Sequence, residues 1–125
     1  MLENEITKDN TSLLVMRFYT KVLKDEAISS FFIEKLGADM KNTLWQKHIL
    51  LLSDFWYTIS LGKGDYRGNP FGPHLQIEGL KRESFESWLK LFFLTVDNIY
   101  TQEIALKFKE KSTIIAGNFM RNLRL

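Results

Sequence analysis

Two histidines, a tyrosine and a tryptophan are the residues of this chain whose types and placement suit chemistry. His48 lies within an apolar face, four residues from Leu44 and from Leu52, with no acidic side chain at either helical spacing to pair with it. His74 follows Pro73 on a short turn at the end of a Gly/Pro-rich stretch. Tyr19 and Trp88 put a hydroxyl and an indole N–H on two further inward stripes. Taken singly, each reads as ordinary core packing, because a buried imidazole, phenol or indole usually finds a backbone partner. Together they suggest a site with one imidazole on one side and a Tyr, His and Trp on the other.

Composition narrows what such a site can hold. The chain has no cysteine, which excludes thiolate metal sites, iron–sulfur clusters, disulfides and cysteine nucleophiles. Two histidines are too few for a zinc centre of three or four protein ligands. Three Trp, four Tyr and ten Phe in 125 residues make either an aromatic-rich core or the packing around something large and flat, and for a metal in such a cysteine-free pocket haem fits better than zinc. Gly62, Gly64 and Gly68 lack the spacing and the following helix of a phosphate-binding loop. No Ser, His and Asp grouping forms a nucleophile motif. The net charge of +2, without a dense basic block, gives no footprint for nucleic acid. The amino-terminal stretch MLENEITKDNTS is acidic and polar, and no run of eighteen residues is wholly apolar, so neither export nor a membrane span is expected. The expectation is one cytoplasmic domain spanning 1–125.

The elements that must position these groups are helical. Leu14, Phe18 and Val22, with Val15 and Tyr19 beside them, mark a helix over about 11–24, with capping residues in Asp9–Ser12. A short turn-and-helix piece carries Phe31 and Phe32 and ends near Gly37. Two adjacent stripes, Leu44, His48, Leu51, Phe55 and Trp45, Ile49, Leu52, Trp56, predict a broad buried face over about 41–61. Residues 62–73 hold four of the seven glycines and both prolines, so a long loop must deliver His74 on about one helical turn. Stripes from Phe85 to Ile99 and from Ile104 to Leu123 predict two more helices, over about 82–99 and 102–123. No segment alternates with period two for long enough to be a strand, so the domain reads as all-α with four substantial helices.

These residues resemble the truncated globins, and among them the group III branch, from about Leu13 to Leu123. The resemblance rests on Arg17-Phe18-Tyr19, Phe31-Phe32, Trp45 to His48 through Asp54-Phe55-Trp56, Leu61 to Tyr66, Pro73-His74-Leu75 and Trp88 to Phe92, in that order. The double-glycine motifs of the other truncated branches are absent. The resemblance implies a two-over-two helical sandwich around a b-type haem, with His74 as proximal iron ligand. It makes Tyr19 and Trp88 hydrogen-bond donors to an iron-bound ligand and His48 the distal histidine. Phe32 is then wedged against the haem at the corner, Leu52 lines the distal side, and Phe55 and Trp56 contact the cofactor. Dioxygen, nitric oxide or a similar diatomic is the implied ligand. Redox work on it, of nitric oxide dioxygenase or peroxidase type, fits a donor-rich pocket better than transport does, and needs an external reductase. A cofactor-free helical interaction domain and a gas sensor acting through a partner stay open as alternatives. Lys47, Lys63 and Arg67 are the candidates for pairing with the propionates, by proximity.

Overall fold

A computed structural model describes residues 2–61 and 79–125. The described residues form five α-helices: α1 (Lys8–Val22), α2 (Ser29–Leu36), α3 (Thr43–Leu61), α4 (Arg82–Ile99) and α5 (Gln102–Asn122). Their only pairing of β type among the described residues is an isolated bridge between Glu3 and Tyr100. The α1–α3 and α4–α5 pairs form two layers, joined where α1 packs on α4 and α3 packs on α5. This is the all-α domain that the periodicity predicts, in the two-over-two arrangement that the family resemblance implies. None of the described helices is long and apolar enough to cross a membrane.

Helix α1 begins earlier than the apolar stripe alone implies. Thr7 is its N-cap, its hydroxyl accepting from the Asn10 N–H at 3.0 Å while the Asn10 side chain accepts from the Thr7 N–H at 2.9 Å. This reciprocal pairing satisfies two of the backbone donors that a helix start leaves open. Asn10 and Thr11, read from the sequence as capping residues ahead of the helix, are instead buried inside its first turn.

The buried face of α3 is narrower than two full stripes. Trp45, Ile49, Phe55 and Trp56 are buried, but Leu44 and Leu51 are 57% and 52% exposed. A helix held between α1 and α5 buries only the arc facing them, and Leu44 and Leu51 lie beyond it. Between α2 and α3 the chain turns at Gly37, whose φ of +89° is a conformation that L side chains rarely adopt. Asn42 braces this corner. Its amide donates to the Leu36 carbonyl at 2.8 Å and its Oδ1 accepts from the Trp45 N–H at 2.8 Å, so one side chain closes the end of α2 and opens α3.

Two apolar clusters result. The larger one gathers Leu14, Phe18, Trp45, Trp56, Phe92 and Phe108 among others, from α1, α3, α4 and α5. A smaller one joins Phe85 of α4 to Ala116 and Phe119 of α5, and Ile115 packs against both.

Candidate functional site

Between the two clusters lies a cavity of about 310 Å³, with a lining drawn from all five helices. Of the residues singled out from the sequence, Tyr19, Phe32, His48, Leu52, Phe55, Trp56 and Trp88 all line it. Phe31 and Phe32 are both half-buried and both face it, so the corner contributes two rings. The sequence-predicted ligand His74 lies outside the described residues, as do Tyr66, Phe71, Lys63 and Arg67.

The polar groups converge at one end. The rings of Tyr19 and His48 meet edge-on, their centroids 5.0 Å apart at 70°, and Phe32 closes on Tyr19 at 5.3 Å. Tyr19 is only 4% exposed. Burial pushes its phenol well above the ordinary tyrosine value, and a hydrogen bond with Trp88 offsets this in part. Because an indole nitrogen can only donate, Trp88 is the donor of that bond and the phenol oxygen the acceptor. Trp88 is itself aligned by stacking, 5.4 Å from Phe92 at 3° and 6.3 Å from Trp56 at 26°. A hydroxyl, an indole N–H and an imidazole thus share an otherwise largely apolar space.

Ser84, Lys35 and a carbon wall of Leu80, Phe85, Ile115, Ala116 and Phe119 also line it. Periodicity along one helix could not identify that wall as site, because it forms where Phe85 of α4 packs on Ala116 and Phe119 of α5. Lys35, on the last turn of α2, is the described cation that borders the cavity. Lys47, the candidate for that place by proximity, instead borders a second surface groove with Lys8, Leu50, Leu51, Asp54 and Tyr57. It stands on the outer side of α3, where sequence proximity to His48 does not translate into facing the same space.

The donor set fits a haem. Among the described residues no group of three or more His, Asp or Glu side chains could hold a bare metal ion. The cavity offers what an iron already held in a macrocycle needs from its distal side, which is apolar walls and a few neutral donors.

Comparison with known proteins gives the same frame. No family model matches the chain. It is 31% identical over 118 residues to the group 3 truncated hemoglobin ctb of Campylobacter jejuni, an alignment covering 94% of this chain and 91% of that protein. It also superposes on the crystal structure of a group III truncated hemoglobin from Campylobacter jejuni with a TM-score of 0.90 at 31% identity, covering 98% of this chain and 95% of the other.

Proposed function

The chain belongs to the group 3 truncated haemoglobins, and from that premise we propose that it holds a b-type haem ligated by His74, with dioxygen or another diatomic ligand on the side of Tyr19, His48 and Trp88. Membership of the globin family implies haem binding. The observation that supports the finer reading is the convergence of Tyr19, His48 and Trp88 with Phe32, Leu52, Phe55 and Trp56 on one cavity.

When bound, the haem supplies an iron that takes up a diatomic ligand and passes negative charge onto it. Tyr19, kept protonated by burial, would donate its O–H to that charge, and Trp88, which only donates, would turn its N–H from the Tyr19 oxygen toward it. The apolar walls exclude the water that would compete for those donors, so a bound diatomic leaves slowly and transport is a poor use. His48 is the one of the three able both to accept and to release a proton near neutral pH. That makes it the acid/base for handling peroxide. Converting nitric oxide and dioxygen to nitrate draws one electron from outside per turnover, so a reductase is the implied partner.

Titration of the purified protein with haemin tests the reading. An intense Soret band should saturate near one haem per chain, and His74→Ala should alter it strongly. Absence of saturable binding by the wild type would leave the globin fold without the haem, as in a cofactor-free helical interaction domain.

A further inference from the structure

Trp45 does not line the cavity, yet it touches the residues that do. It is fully buried, and its ring meets Tyr19 edge-on at 5.3 Å and 60° and His48 at 5.5 Å and 84°. It also lies nearly parallel to Phe32, at 6.4 Å and 24°. Its indole N–H donates to the Gly37 carbonyl at 2.7 Å, and its backbone N–H donates to the Asn42 side chain at 2.8 Å. One residue thus grips three cavity rings on one side and the α2–α3 corner on the other.

The corner itself is rigid. Asn42 ties the end of α2 to the start of α3, and Gly37 presents its carbonyl from a backbone conformation that other residues rarely adopt. A Cβ on Gly37 would come within 3.0 Å of the Asn42 amide nitrogen. The indole therefore has a fixed anchor, and its ring stands as a wall behind Tyr19 and His48. A phenylalanine would keep part of that wall and lose the anchor, whereas an aliphatic side chain would lose the ring contacts as well.

We infer that Trp45 is a positioning residue, which holds the Tyr19 hydroxyl and the His48 imidazole at their places in the cavity through its ring edges and its bond to Gly37. The inference rests on the reading of the cavity as the diatomic-ligand site. Simple core filling predicts a loss of stability alone. Positioning predicts that Trp45 acts on the ligand through Tyr19, so the two substitutions should not add.

Two measurements separate these accounts. In the haem-free chain, nuclear Overhauser contacts between the Tyr19 and His48 rings should be strong in the wild type, weakened in Trp45→Phe and lost in Trp45→Leu; contacts kept at wild-type strength in Trp45→Leu would overturn the inference. In the haem-loaded chain, Trp45→Leu should speed dioxygen dissociation by about tenfold, as expected for one misplaced hydrogen bond. It should also shift or broaden the carbon monoxide stretching envelope relative to the wild type, and add little to Tyr19→Phe in the double variant. Multiplicative effects in the double variant would overturn it. If Trp45→Leu does not fold, Trp45→Phe is read in both arms with the same criteria. If the wild type takes up no haem, the cavity reading fails, and the Overhauser contacts still decide whether Trp45 positions the two rings.

Discussion

The Tyr100 hydroxyl donates to the side-chain oxygen of Asn10 at 2.8 Å, across 90 positions of the chain. The same oxygen accepts from the Thr7 N–H at 2.9 Å, and the Asn10 amide donates to the Glu5 carbonyl at 2.9 Å. Beside it, Glu3 exchanges backbone hydrogen bonds with Ile99 and Thr101 at 2.8 and 2.9 Å. The start of α1 is thereby sewn to the corner between α4 and α5.

Tyr100→Phe removes one donor and leaves Asn10 with its other partners, so it should cost about 1 kcal/mol of stability. Asn10→Ala strands the Tyr100 hydroxyl, the Thr7 N–H and the Glu5 carbonyl together, and should cost about 2–3 kcal/mol. Urea unfolding checks both. Neither residue lines the cavity, so haemin affinity should stay unchanged in the folded variants.

Alkaline pH should unfold the protein in a tyrosine-dependent way. Burial raises the phenols of both Tyr19 and Tyr100 above the ordinary value, with the neighbouring Trp88 and Thr11 side chains respectively acting in the lowering direction and the Glu3 charge adding to the rise at Tyr100. Above about pH 10 the unfolded chain loses these protons while the folded chain keeps them. The folded state then holds more protons, and stability must fall as pH rises. The slope should approach about 1.4 kcal/mol per pH unit for each phenol. Tyr19→Phe and Tyr100→Phe should each flatten it, as read by denaturant melts between neutral and strongly alkaline pH.

Removal of the proposed ligand donors should be visible in rates. Tyr19→Phe and Trp88→Phe should each speed dioxygen release by about tenfold, the worth of one hydrogen bond in an apolar site. Stopped-flow release that is no faster in either variant would refute the donor assignment. His48→Leu should cut peroxide turnover by about a hundredfold or more, as loss of a general acid/base does.

The two lysines give a paired test of cofactor orientation. Lys35 borders the cavity and Lys47 does not. Lys35→Glu should weaken haemin binding severalfold and more strongly at low salt, because it sets a negative charge beside the two propionates. Lys47→Glu should leave the titration unchanged. Equal effects of the two would mean that the propionates point elsewhere.

Much of the frame is legible in the chain because its helices carry strong one-sided stripes. Helix α4 is found at Arg82–Ile99, where the run from Phe85 to Ile99 places it. What sequence reading misses is set by distant partners. The inward turn of Asn10 depends on Tyr100, and nothing near residue 10 announces it. Leu44 and Leu51 repeat at helical spacing with His48, but burial on α3 is decided by where α1 and α5 lie. The gathering of Tyr19, His48 and Trp88 could be anticipated from the family resemblance. The bracing of that group by Trp45 and Gly37 could not, because a carbonyl acceptor at 2.7 Å leaves no mark in residue type.

The cavity lies on the seam between the cluster around Phe92 and the smaller one of Phe85, Ala116 and Phe119, with Ile115 packing against both. An occupant there would be a keystone as well as a reagent, because it would add apolar contact to both clusters at once. Whatever binds the folded state alone draws the folding equilibrium toward it in proportion to its free concentration. In a cell the abundance of working protein would then follow the supply of the cofactor as much as the synthesis of the chain.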